Sequence, residues 1–266
     1  MNAFCIRALT VAQVVWRGVV RRKDAYVLLI LSASLLAGMM ALDVFGLGGV
    51  TAYLKDTGLL LAWFFSWVLA VSVATRELPQ EETSGTIFSL LAKPVRRLDL
   101  VVGKWLGAWT VVSAATLVFY LLAMVLVLLK GGAFRVAVTL QGFVMHAAAL
   151  SCIAAMGVAF STRMNHDAAA SLTYVLTGAA FIVVPRVPAL VVREGPFGGT
   201  LLLMLYNLLP HFEVFDLRRR MVHDYAPIDF PSLAAILAYG FGLSALFLLI
   251  AWMAYRNKRF SRGNLL

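Results

Sequence analysis

The stretch WLGAWTVVSAATLVFYLLAMVLVLL, Trp105–Leu129, runs for 25 residues without one charged side chain, with Lys104 before it and Lys130 after it. About 20 mostly apolar residues suffice to carry a helix across the hydrocarbon core of a bilayer. Five more charge-free runs follow the same pattern: Ala25–Leu42, Thr57–Thr75, Val136–Thr162, Ala168–Pro185 and Pro231–Tyr255. Across 266 residues, 62% are hydrophobic, 14% are charged, and the mean hydropathy is +0.88. A soluble domain is about 45–50% apolar and about 25% charged, and a chain of this size cannot bury the excess. Soluble, disordered and disulfide-rich classes are excluded, and the chain reads as an all-α membrane protein with six transmembrane helices.

The net charge of +10 points to membrane topology, because the Lys and Arg residues sit at the ends of the apolar runs and give no reason to expect nucleic acid as a partner. With the N-terminus in the cytoplasm, that side holds fifteen Lys and Arg against eight on the other. Both termini are therefore expected in the cytoplasm, with Arg218–Arg220 facing outward. A seventh charge-free run, Gly195–Pro210, is interrupted by glycine and proline. It suits a re-entrant or surface helix within a long outer loop, Arg186–Phe230, before the last span.

Residues 1–24 precede the first span as an amphipathic helix. Arg7, Thr10, Gln13, Arg17 and Arg21 share one face, and Phe4, Leu9, Ala12, Trp16 and Val19 share the other. Such a helix is expected to lie in the plane of the interface. Cys5 falls on it and Cys152 in the fourth span, so both are expected as free thiols.

No G-x-x-x-x-G-K-[ST] is present: Gly103-Lys104 is followed by Trp105. The chain thus lacks that glycine loop for a nucleotide phosphate. No H-E-x-x-H and no zinc-type Cys/His spacing occur. None of the six runs carries an Asp, Glu, Lys or Arg. Gln141 and His146 in the fourth run are the notable polar side chains near mid-depth. They read either as contacts on a substrate path or, more plainly for His146, as an interhelical hydrogen bond. Small residues at four-residue spacing, Ala147–Ser151–Ala155–Ala159 and Gly103–Gly107, mark surfaces where helix backbones approach closely.

The densest cytoplasmic segment lies in residues 76–104, between the second and third spans. Thr83 or Ser84 is positioned to cap a short helix, with Glu81 and Glu82 near its positive end. Ile87, Phe88, Leu90 and Leu91 then gather on one side, and Pro94 stops the helix. Eight residues cannot bury four large apolar side chains alone, so this helix needs a partner, the spans or the interface.

Glu81, Gly85-Thr86, Leu90-Leu91, Pro94 and Arg97, followed by Gly103-Lys104, together resemble the cytoplasmic loop of ABC-2-type transporter permeases. The loop of that family is similar to E-x-x-x-G-T-x-x-x-L-L-x-x-P-x-x-R, then G-K; Glu82 stands beside the position Glu81 fills. The layout of the whole chain is similar too, and among single-domain permeases it resembles the copper-processing and gliding-associated branch. The resemblance implies a permease subunit of an exporter, with no enzymatic activity or cofactor of its own. ATP and Mg would be used by a separate ABC ATPase subunit. It also implies pairing with a second permease copy or homologue in the cytoplasmic (inner) membrane. The short helix would be the coupling helix, with Glu81, Glu82, Gly85, Thr86, Ile87, Phe88, Leu90, Leu91, Pro94, Arg97 and Lys104 at the ATPase interface. The loop 186–230 would be the outer gate, with Phe212 and Phe215 as an interfacial anchor. Two other readings stay open: a membrane subunit that passes ATPase-driven force to an extracytoplasmic partner, and an intramembrane lipid-modifying enzyme.

Overall fold

The computed structural model describes residues 3–41, 50–85, 96–193 and 196–258. Its helices are α1 (Ala3–Arg22), α2 (Asp24–Ala41), α3 (Val50–Thr83), α4 (Arg97–Leu129), α5 (Val136–Ser161) and α6 (His166–Ile182). They are followed by α7 (Val187–Val191), α8 (Pro196–Leu208), α9 (Arg218–Val222) and α10 (Phe230–Arg256). Single 3-10 turns stand at Val184–Arg186 and Phe212–Phe215.

Among the described residues, five helices are long and apolar enough to cross a membrane: α3, α4, α5, α6 with its extension to Val191, and α10. The run expected as the first span is α2, 18 residues long and just under the usual crossing length. α3 and α4, at 34 and 33 residues, outrun the charge-free stretches they contain. Their excess lies largely at one end of the bundle, where α3 finishes, α4 starts, and α5 and α10 also finish. That end carries most of the described ion pairs and is called the charged end below.

Local sequence sets the helix boundaries. Gly85, at φ +71°, ends α3 in the left-handed region that glycine enters without steric cost. Gly131, at φ +74°, ends α4 in a Schellman turn, with the Gly132 N–H on the Val127 carbonyl and the Gly131 N–H on the Leu128 carbonyl. The Asp99 carboxylate accepts the Arg96 N–H at the start of α4. Asn165 and Asp229 cap α6 and α10 by accepting the N–H groups of Ala168 and Ser232. That bond also holds the exposed Asp229 carboxyl below its ordinary range.

α5 is the central helix, flanked by α3, α4, α6 and α10. Its small residues allow the close contacts: an added Cβ at Gly157 would sit 2.9 Å from the Ala74 Cβ, and Ser151 bonds Ser244 of α10 at 2.8 Å. Trp105 and Trp109 of α4 donate their indole N–H groups to the Ser151 and Ala147 carbonyls. Cys5 is exposed and Cys152 buried, both as free thiols.

Gly103 and Gly107 seat α1. A Cβ on Gly103 would lie 2.6 Å from the Val11 Cβ, and one on Gly107 would lie 2.7 Å from the Val15 Cβ. Ala8, Val11, Ala12, Val15 and Val19 form the buried stripe, while Leu9, Trp16 and Val20 stay exposed. Arg7 meets Asp99, and Trp16 donates to Thr110. These pairs advance together along both helices, so α1 follows α4 in the same direction. A helix laid flat across the bundle, as the amphipathic pattern suggests, would not make this series of contacts.

Candidate functional site at the charged end

The site expected from sequence centres on residues 76–104. Thr86, Ile87, Phe88, Leu90, Leu91 and Pro94 lie outside the described residues. Glu81, Glu82, Gly85, Arg97 and Lys104 are placed, and their positions differ from the expectation.

α3 does not stop near Thr75 but continues through Arg76, Glu77 and Pro79 to Thr83. Thr83 therefore closes a long helix and does not open a short one, with its hydroxyl on the Pro79 carbonyl. Glu81 and Glu82 consequently sit in the last turn of α3, where the helix dipole disfavours negative charge. Lysines offset that cost. Lys104 Nζ lies 3.0 Å from Glu77 Oε2 and also bonds Glu81 Oε1. Arg22 reaches the same cluster, 3.3 Å from Glu77 Oε1 and 2.8 Å from Gln80 Oε1. The lysine is 1% exposed. Two carboxylates and two cations balance, which is the condition under which buried charges are tolerated. Lys104 thus faces inward and joins α4 to α3; it presents no charge at the surface.

Arg97 also turns to the chain itself. Its guanidinium donates to the Tyr255 carbonyl at 2.9 Å and to the Arg256 carbonyl, both at the C-terminal end of α10. These carbonyls stand in the last turn of α10, where the Lys258 N–H also reaches the Tyr255 carbonyl, and a cation there complements the dipole. Lys258, two residues beyond α10, holds both Glu82 carboxylate oxygens at 2.7–2.8 Å and the Thr162 carbonyl at 2.9 Å. The two described edges of this segment, after Glu82 and at Arg97, are therefore tied to the same feature. Glu82 ties the entrance to the end of α10, and Arg97 ties the exit to it. Arg7 on Asp99 adds α1 to this frame.

Glu77, Arg22, Lys258, Asp99 and Arg7 belong to this frame and are absent from the sequence-based site. The one signal for them is the Glu77–Glu81 pair at i, i+4, which puts two carboxylates on one helix face in need of a cation.

The other expected residues lie deeper or at the opposite end. His146 is fully buried, hydrogen-bonded to Ser66 at 2.8 Å and to Tyr120 at 3.3 Å. Its ring stacks on Trp63 at 3.9 Å. Gln141 donates to the Ile228 carbonyl and accepts the Ile228 N–H, both at 2.8 Å, and so pins the backbone leading into α10. Phe212 and Phe215 are fully buried, unlike the interfacial anchor expected of them. Phe212 stacks on Phe181 of α6, and Phe215 stacks on Tyr239 and packs against Gly240 of α10. The segment plugs the bundle because glycine at 240 leaves room for a ring. Two of the arginines expected to face outward are held as well. Arg218 grips Asp216 with two nitrogens and Arg220 bonds the Ala226 carbonyl. Burial opposes the Arg218 charge, but its bonds to Asp216 outweigh that and keep the guanidinium protonated. Among the described residues no group of His, Cys, Asp and Glu is placed to hold a metal ion.

A chain built of apolar crossing helices, with an ion-framed segment between α3 and α4, matches the family model described as ABC-2 family transporter protein over residues 31–258. The chain belongs to this family. It is accordingly a multi-pass membrane protein of the ABC transporter permease type, and permeases of the ABC-2 family work with an ABC ATPase subunit. No curated protein matches the chain.

Proposed function

We propose that this chain is the membrane half of an exporter in the cytoplasmic membrane, driven by ATP and Mg consumed on a separate ABC ATPase. It has six spans, α2 included, with both termini in the cytoplasm, and it pairs with a second permease chain, identical or homologous. The charged end is then the cytoplasmic end. The ATPase receives residues 84–96, in which Ile87, Phe88, Leu90 and Leu91 supply an apolar anchor of the kind that dominates interfaces.

One observation carries the reading: both ends of that segment are tied to the end of α10, through Glu82–Lys258 and through Arg97 on the Tyr255 and Arg256 carbonyls. A displacement of the segment passes directly to α10. In its first half α10 holds Phe215 against Gly240, and its Tyr239 hydroxyl accepts the His211 N–H. Nucleotide-driven movement at one end therefore has a path through one helix to the segment proposed as the outer gate. Coupling of this kind needs an element with two arrangements that the ATPase biases, and α10 with its plug is that element.

Fusions and nucleotide assays test the reading together. A reporter active only outside the cytoplasm should work when fused after Asp224 and fail after Ser84 or at the C-terminus. The purified chain should neither bind nor hydrolyse ATP, and turnover should appear only with its ATPase. An active C-terminal reporter would contradict the six-span topology, and stoichiometric ATP binding by the pure chain would contradict the division of labour.

A further inference from the structure

Residues 1–23 hold five cations, Arg7, Arg17, Arg21, Arg22 and Lys23, and no carboxylate. Two of the five turn to acids of the bundle. Arg7 meets Asp99 of α4, and Arg22 reaches Glu77 of α3. The other three, Arg17, Arg21 and Lys23, are exposed and have no ion pair or side-chain hydrogen bond among the described residues. The acids nearest α1 are already matched: Asp99 by Arg7, and Glu77 and Glu81 by Lys104 and Arg22. Asp24, which opens α2, is the one carboxylate in residues 1–42. Counting it in full still leaves three cations against one carboxylate where α1 ends.

Lys23 stands at φ +61°, where the chain turns from α1 into α2 and the Lys23 carbonyl accepts the Tyr26 N–H. Glycine would make that left-handed turn without steric cost, so the turn itself does not call for a lysine. A side chain kept at such a position points to a task for the side chain.

Apolar groups surround these cations. Arg17 and Arg21 are four residues, about 6 Å, apart on one helix face. Trp16 and Val20 stand beside them, Tyr26 and Val27 follow, and all four are exposed. The charge-free run Ala25–Leu42 starts two residues after Lys23. Cations among aromatic rings, at the point where a chain enters hydrocarbon, are the composition of the membrane–water interface. A soluble partner would have to settle on side chains that lipid covers, whereas a headgroup phosphate meets the cations from within the bilayer. We propose that Arg17, Arg21 and Lys23 form a site for the headgroup phosphate of an anionic phospholipid. The site rests on the reading of α2 as a span.

Purified chain in uncharged micelles should be titrated with phosphatidylglycerol brominated close to its ester groups, with tryptophan fluorescence as the readout. Brominated phosphatidylcholine is the comparison. Trp16, held beside the site by its bond to Thr110, is the reporter, and the quenching lost in Trp16→Phe isolates its signal. Each surface cation is worth about fivefold toward an anionic headgroup, so phosphatidylglycerol should quench Trp16 at a concentration roughly tenfold lower or less. The preference should vanish near about 1 M salt, as it does for exposed charges. Arg17→Gln with Arg21→Gln should make the two lipids equal, whereas Arg17→Lys with Arg21→Lys should keep the preference. Lys23→Gly removes a cation and relieves the left-handed turn, so it should weaken the preference about fivefold without lowering the unfolding midpoint. Equal quenching by the two lipids in the parent chain, or a preference that survives high salt or the double glutamine variant, would overturn the proposal. So would a double glutamine variant that keeps the lipid preference and loses its ATPase, which would assign these cations to the partner. Micelle titrations depend neither on the ATPase nor on which side of a membrane the site faces. Their failure leaves the permease reading intact, and an α2 that does not cross is detected separately, by the reporter fusions.

Discussion

At the charged end, Lys104, Glu77, Glu81 and Arg22 join α1, α3 and α4 through ions, and Arg97 and Lys258 bind the end of α10. At the opposite end, Phe212 and Phe215 fill space between α5, α6 and α10, while Gln141 clamps one peptide unit. The first arrangement is a network: each charge is tolerated because of the others. The second is a set of local fits, each worth its own buried area and bonds. Within an ion cluster a change at one member is felt by its partners, whereas an end built of rings yields piece by piece. That contrast suits a device driven from the charged end and gated at the other.

The largest effect is expected from breaking the network at its centre. Lys104→Met leaves Glu77 and Glu81 buried without their cation and should cost about 3–5 kcal/mol. Thermal unfolding in detergent would report it as a large fall in the midpoint. Adding Glu77→Gln and Glu81→Gln should recover much of the loss, because the unpaired charges are removed with the lysine. If the single variant unfolds like the parent, the two ends do not differ in kind.

A smaller loss is expected at the plug. Phe215→Ala removes a fully buried ring and should cost about 3 kcal/mol, without recovery by any charge change. The unfolding midpoint should shift by the same amount at low and high salt. A strongly salt-dependent shift would mean that the plug is held through the ions nearby.

The sequence makes much of this legible, unevenly. The charge-free runs at Trp105–Leu129, Val136–Thr162 and Pro231–Tyr255 match α4, α5 and α10, with Thr162 capping α5, because a lipid-facing helix must be apolar along its length. Gly103 and Gly107 announce a close approach but not the helix that makes it, since α1 is far away in sequence. The extension of α3 to Thr83 is hidden for the same reason. Arg76, Glu77 and Pro79 look like a loop until Lys104, more than 20 positions on, supplies the ions that keep them helical. Phe212 and Phe215 beside three arginines read equally well as an interfacial anchor or as a plug. Gly240, which decides between them, stands on another helix. Arg97 and Lys104 carry the family pattern in sequence, yet in the fold both bind groups of the chain itself.

The smallest effect on stability separates the clamp from the plug. Gln141→Ala strips both partners from the Ile228 peptide and should cost about 1–2 kcal/mol. Hydrogen exchange should quicken at Ile228 and the neighbouring amides while the charged end stays protected. Exchange that quickens at both ends would show that α10 transmits in this direction too.

The central claim is that a partner ATPase seats on the segment carried by the charged end. Its most direct measurement is co-purification of the cognate ABC ATPase with the Leu90→Asp variant, beside Val192→Asp at the opposite end, where the side chain is 85% exposed. Loss of an apolar anchor costs about 2 kcal/mol or more, so the Leu90 variant should lose about thirtyfold in affinity and fail to retain the ATPase. The Val192 variant should retain it. Retention by Leu90→Asp equal to that of the parent chain would contradict the account.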